Sequence, residues 1–147
     1  MTNPYHQQYT RVQANTIAPE QLMVMLYEGA VTFLGRARTE LEKGALGPGK
    51  TALSKGLAIV AELQNSLDLE AGWDGAQNLS DLYSYMIMEL TEANLNNDLE
   101  RIDGVITLLS DLCATWKQAV DSMAQTSQVS AAASGAAMDR APFKVSV

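Results

Sequence analysis

The sequence predicts an all-α protein: an antiparallel up-down four-helix bundle with a flexible N-terminal arm and a disordered C-terminal tail. Two observations lead there. Apolar residues recur at helical spacing in four successive stretches of about 20 to 25 residues, and short turns bearing Gly, Asn or Asp separate them. Helices of that length span roughly 30 to 37 Å and match one another, so short connections force neighbours to run antiparallel. The 147 residues suffice for one domain with a sizeable core. They divide into an arm or lid over 1–18, a bundle over 19–125 and an Ala/Ser-rich tail over 126–147.

The organising stretch is Thr16 to Ala30, TIAPEQLMVMLYEGA. Pro19 suits the first helical position, where its missing N–H would have no partner anyway. Ala18 before it is a poor cap, so Thr16 is expected to supply the capping oxygen. Leu22, Leu26, Gly29, Phe33 and Ala37 make one face of this first helix. Met23, Tyr27, Ala30, Leu34 and Leu41 make a second, and Val24 and Val31 a third. Such a helix is expected to be an inner one with neighbours on several sides. It should run to about Lys43 and stop at Gly44, with GALGPG (44–49) as a loop.

The second helix is expected from about Lys50 to Leu69, with Leu53, Leu57, Val60, Leu63 and Leu67 as its stripe and Ala52 and Ile59 on the flank. Gly56 inside it signals close backbone packing, because an interior glycine otherwise costs about 1 kcal/mol. AGWDG (71–75) turns the chain into a third helix from about Asp74 to Asn97, whose inner stripe is Leu79, Tyr83, Met86, Leu90 and Ala93. Asn97 or Asp98 then caps the fourth helix. That helix repeats Ile102, Val105, Ile106, Leu109, Cys113, Trp116, Val120 and Met123. Leu22, Leu26, Phe33, Leu109 and Trp116 are the expected core. From about Gln125 the pattern dissolves into small and polar residues that bury too little to offset ordering.

Several kinds of chemistry lose support on inventory. A di-metal bundle needs inward Glu residues and two Glu-x-x-His pairs, and the one histidine, His6, lies outside the bundle. Glu89 and Glu92 sit away from the apolar stripe and read as solvated charge. Cys113 falls on an inner stripe with no histidine to activate it. No phosphate-binding glycine motif is present. No cofactor and no enzymatic activity are expected. The net charge of −7 argues against nucleic acid or an anionic membrane as partner. No apolar run reaches the roughly 20 residues that a membrane span needs, so no membrane insertion is expected. A single cysteine excludes an internal disulfide and fits a reducing cytoplasm.

What remains is a surplus of apolar side chains. Leu57, Ile59, Leu82, Tyr85, Met86, Met88 and Leu95 exceed what one stripe per helix requires. Together they suggest a groove for the apolar helix faces of a partner, with the methionines able to repack around it. In the arm, Tyr5, Tyr9 and Val12 share a helical face and suit a small docking element.

YHQQY with Val12, TIAPEQLMVMLYEGA, GWDGAQNLSDLYSYM, EANLNND and LLSDLCATW, in that order, resemble the successive signatures of the FliS family of flagellin export chaperones. The resemblance spans Tyr5 to about Trp116. It implies a cytoplasmic helical bundle that binds the disordered C-terminal segment of flagellin, prevents premature polymerisation and helps delivery to the type III export gate. It also implies that Tyr5 and Tyr9 act as a lid over the groove and in docking at a gate component. A helical adaptor with an unrelated partner is the alternative. Monomer and homodimer both fit, because swapping the arm would leave the same pattern.

Overall fold

The structure, a computed structural model, describes residues 18–71 and 74–134. Residues 1–17 of the expected arm, with Tyr5, Tyr9 and the expected cap Thr16, and residues 135–147 of the expected tail lie outside the described residues. Four helices follow one another: α1, Pro19–Glu42; α2, Leu46–Asn65; α3, Asp74–Asn96; and α4, Leu99–Ser134. A single 3-10 turn, Leu69–Ala71, precedes α3, and no strand occurs among the described residues.

Two helix ends show why the helices stop where they do. At the end of α1, Gly44 takes φ 83°, the left-handed conformation a glycine adopts without penalty. The Ala45 N–H then reaches back to the Glu40 carbonyl at 2.9 Å and the Gly44 N–H to the Leu41 carbonyl at 3.0 Å, which pairs the last carbonyls of the helix. Asn97 repeats the device after α3 with φ 52°, and the Asp98 N–H donates to the Ala93 carbonyl at 3.2 Å. Asp98 then starts α4: its Oδ1 accepts from the Glu100 N–H at 3.2 Å and the Arg101 N–H at 3.4 Å.

Helix boundaries depart from expectation in three places, one of them the end of α2 at Asn65 rather than near Leu69. The stretch Leu46 to Gly49 is the first turn of α2 rather than loop. Pro48 is tolerated there because the first N–H groups of a helix have no intrahelical acceptor, so a proline removes nothing. At the other end, α4 runs nine residues past Gln125, to Ser134. Its apolar stripe fades, but Ala and Gln are good helix formers and do not require one.

Residues Met25–Thr115 form one compact unit, and the described parts of Met1–Val24 and Trp116–Val147 form another. The second contains the first turn of α1, where Leu22 is 47% exposed, and the end of α4, where Trp116 and Met123 are half-buried. The larger unit holds the core. There α1 buries Tyr27, Ala30, Leu34, Ala37 and Leu41, a run of alternating three- and four-residue steps. On α3 the buried set is Ala76, Tyr83, Met86, Leu90 and Ala93, and on α4 it is Ile102, Val105, Leu109 and Cys113. Such stepping is the seam of side-by-side helices in a bundle. The expectation that α1 is an inner helix is corrected: one stripe of it is buried, Leu26 and Phe33 are only half-buried, and Leu22 is exposed. Of the expected core residues, Leu109 alone is fully buried.

Approaches between side chains fix the directions. A Cβ on Gly49 would stand 2.6 Å from Leu41 Cδ2, one on Gly56 would stand 2.6 Å from Leu34 Cδ2, and one on Gly29 would meet Ile59 Cδ1 at 3.5 Å. Those pairs run in opposite order along α1 and α2, so the two are antiparallel. Lys50 Nζ donates to the Asn94 carbonyl at 2.6 Å, and Gln64 Nε2 donates to the Ser80 carbonyl at 2.9 Å and to Ser84 Oγ at 2.6 Å. These tie α2 antiparallel to α3. Arg101 reaches Glu89 across the short α3–α4 turn, and Arg38 Nε donates to Asp103 Oδ1 at 2.7 Å between α1 and α4. Across the core the hydroxyls of Tyr27 and Tyr83 hydrogen-bond to each other. The result is the antiparallel up-down four-helix bundle.

Gly56 and Gly49 therefore admit the Leu34 and Leu41 side chains, whereas nothing lies within 4 Å of a Cβ on Gly35 or Gly104. Gly56→Ala is expected to lower unfolding free energy by about 1 to 3 kcal/mol, because Leu34 is held in a filled core. Gly35→Ala and Gly104→Ala should each raise it by about 0.5 to 1 kcal/mol through helix propensity alone. Urea denaturation of the three variants checks the contrast in sign.

The Tyr27–Tyr83 bond generates a second expectation. Burial first, and then the hydrogen bond with Tyr27, push the Tyr83 hydroxyl well above the usual tyrosine range. Tyr27→Phe leaves that hydroxyl without its partner in the core and should cost about 1 to 3 kcal/mol. Adding Tyr83→Phe should return part of the loss, as a double-mutant cycle in urea would show.

Candidate partner-binding surface

The seven apolar residues singled out on α2 and α3 do not share one groove. Leu57 and Ile59 are two positions apart and so point ~200° apart around α2. Ile59 faces α1, where it approaches Gly29. Leu57 lies seven residues from both Lys50 and Gln64, the side chains that reach α3, and therefore lines the α2–α3 flank. Both are half-buried.

On α3 the split continues. Leu82 stands seven residues before Glu89, which pairs with Arg101 of α4, so half-buried Leu82 belongs to the α3–α4 flank. Tyr85 is 46% exposed on the same side and donates to Glu89 Oε1 at 3.4 Å. Met88 and Leu95, seven apart, share an outer face at 56% and 72% exposure. Met88 lies one turn from Ser84, which Gln64 of α2 holds. Met86 is 0% exposed, and its assignment to an open groove is corrected: it belongs to the buried stripe between Tyr83 and Leu90. Two neighbouring methionines thus take opposite roles, since two positions of helix turn one inward and the other out.

Polar side chains frame these flanks. Glu89 is not freely solvated as expected; its side chain is 16% exposed and closes on Arg101, which also meets Asp98 Oδ2 at 3.1 Å. The charge of Glu89 first, and its hydrogen bond after, hold the Arg101 guanidinium above its ordinary pKa. Glu92 accepts from Asn96 Nδ2 at 3.3 Å on the exposed side.

One cluster escapes a reading of the sequence. Phe33 of α1 is half-buried at the α1–α2 flank, with Arg36 Cζ and Lys55 Nζ each 5.6 Å from its ring centroid. Only the antiparallel register of α1 and α2 brings Lys55 to Phe33, so periodicity within either helix could not reveal it. Among the described residues no group of three His, Cys, Asp or Glu is placed to hold a metal, and no helix is long and apolar enough to cross a membrane.

The described helices thus form a bundle with exposed or half-buried apolar side chains on several flanks. Comparison with known proteins gives its family. The family described as "Flagellar protein FliS" matches residues 1–123, and the chain belongs to that family. The flagellar secretion chaperone FliS of Salmonella typhimurium is 46% identical over 102 residues, covering 69% of this chain and 76% of the relative. That of Escherichia coli K12 is 32% identical over 120 residues, covering 81% and 88%. Campylobacter jejuni has a relative 36% identical over 110 residues, covering 75% and 86%. A solved structure titled "Crystal structure of flagellar chaperone from bacteria" shares the fold with TM-score 0.67 at 21% identity, over 81% of this chain and 99% of that one. The family is one of flagellar secretion chaperones rather than of enzymes.

The division between core and surface on α3 has a direct check. Met86→Ala is expected to cost about 2 to 5 kcal/mol of unfolding free energy by opening a cavity. Met88→Ala should stay within about 0.5 kcal/mol of the parent protein. Urea midpoints at constant m-value measure both.

Proposed function

We propose that this protein is a cytoplasmic export chaperone that binds the disordered C-terminal segment of flagellin. It keeps that segment from polymerising early and aids its delivery to the flagellar type III export apparatus. Family membership supports the class, and one observation supports the mode of binding. The half-buried and exposed apolar side chains lie on three flanks: half-buried Ile59 toward α1, half-buried Leu57 toward α3 with exposed Met88 and Leu95 beside it on the outer face, and half-buried Leu82 with exposed Tyr85 toward α4. A rigid globular partner covers one face of a bundle at a time. A segment without structure of its own can pass from flank to flank and fold as it goes.

Wrapping accounts for both capture and release. Each flank offers a shallow apolar strip, and the strips together remove a large apolar area of the segment from water. Ordering the segment opposes this by about 2 to 5 kcal/mol, which keeps net affinity moderate for a cargo that must be handed on. Exposed methionine at position 88 suits such a surface, since a flexible thioether adapts to differing side chains. Tyr5 and Tyr9 are proposed to cover the apolar strips in the free protein and to dock at an export-gate component.

Calorimetric titration of the full chain with the last ~40 residues of flagellin from the same organism tests the proposal, that length being typical of segments that fold on binding. The expected result is saturable binding with a large negative heat-capacity change. Met88→Glu and Ile59→Glu, on different flanks, should each weaken it by about tenfold, the loss expected when a charge replaces a buried apolar contact. Absence of binding by the folded bundle would refute flagellin capture and favour an adaptor with another partner.

A further inference from the structure

The cluster around Phe33 has properties that apolar capture alone does not explain. The protein carries a net charge of −7, and Arg38, Lys43 and Arg101 are each engaged by carboxylates of the same chain. The Lys50 ammonium is taken up by the Asn94 carbonyl. Arg36 and Lys55 are different: both are exposed, and neither forms an ion pair with a described residue. They come from two helices and converge on one ring, each 5.6 Å from the Phe33 centroid.

The ground beside them is apolar and open. One turn before Phe33 lies Gly29, which presents bare backbone next to Ile59. One turn further back is Met25, 54% exposed. Running along the α1–α2 flank, the surface therefore passes from two cations without a carboxylate partner among the described residues, over an aromatic ring, to Gly29 beside Ile59 and an exposed methionine. Two neighbouring cations without a carboxylate of their own among the described residues favour a carboxylate from outside. A cation already seated on an aromatic face is also partly stripped of water, which lowers the cost of pairing it.

We infer that the α1–α2 flank seats an acidic-apolar stretch of the bound partner segment, with one or two carboxylates between Arg36 and Lys55 and an adjacent large apolar side chain over Phe33, Gly29 and Ile59. This rests on the capture of flagellin proposed above and adds a polar register mark to it. Apolar strips alone allow a disordered segment to slide by a turn. A charge pair at one point fixes where along the bundle the segment starts, since misplacing it leaves the carboxylate against apolar surface. A second copy of this acidic chain could also offer carboxylates, and the test separates the two.

The test titrates the full chain with the C-terminal ~40-residue flagellin peptide at roughly 50 and 300 mM salt, a range over which exposed charge pairs are progressively screened. Three proteins are compared: the parent, Arg36→Glu/Lys55→Glu, and the charge-keeping Arg36→Lys/Lys55→Arg. The parent is expected to weaken as salt rises. The reversed variant should bind about tenfold more weakly at low salt and regain affinity as salt rises, the opposite of the parent, whereas the charge-keeping variant stays within about twofold. Unchanged thermal melting of all three, expected from the exposure of both side chains, ties the effect to binding. A reversed variant with parental affinity and parental salt response overturns this inference while leaving flagellin capture standing. A parent protein that does not bind overturns both. A change of sedimentation mass in the reversed variant, with peptide affinity intact, assigns the patch to an interface between copies and also overturns it.

Discussion

The approach of α1 to α2 is the constraint on which the rest of this bundle depends. Gly49 and Gly56 have no side chain where Leu41 and Leu34 enter, so the two helices meet at one register and no other. Sliding α2 by one residue would drive a neighbouring side chain into the place of each glycine. From that register follow Ile59 beside Gly29 and Lys55 beside Phe33. It also leaves the other flank of α2 free to carry Lys50 and Gln64 to α3. The hydrogen bond between Tyr27 and Tyr83 then holds α1 and α3 across a core that is otherwise apolar.

Much of this is legible in the sequence because it is written in local rules. Gly44 and Asn97 end helices through left-handed conformations that these residues favour, and Asp98 caps by reaching the next N–H groups. Gly56 signals close packing, and the buried stripe of α3 apart from Leu79 matches its periodicity. The first turn of α2 is harder to read, since GALGPG has the composition of a loop and only the position of Pro48 within the first turn lets it be helical. On α1 apolar residues surround the helix, so a wheel cannot tell the buried line of Tyr27, Leu34 and Leu41 from that of Leu22, Leu26 and Phe33.

The candidate surface is less legible than the fold for the same physical reason. Periodicity tells which residues share a face of one helix, but a flank is made by two. Leu57 and Ile59 are near neighbours in sequence and face different helices; Met86 has the chemistry of a groove residue and is core. Phe33, Arg36 and Lys55 have no evident relation in sequence and form one cluster. Dispersal of exposed and half-buried apolar side chains over several flanks suits the proposed segment that wraps better than a helix lying in one groove.

Hydrogen exchange of the full chain, free and saturated with the flagellin C-terminal segment, tests that central claim most directly. The wrapping account predicts slowed exchange on α1 and α2 near Gly29 and Ile59, on α2 and α3 near Leu57 and Met88, and on α3 and α4 near Tyr85, all in one complex. Protection confined to a single flank, with the other two exchanging as in the free protein, would contradict it.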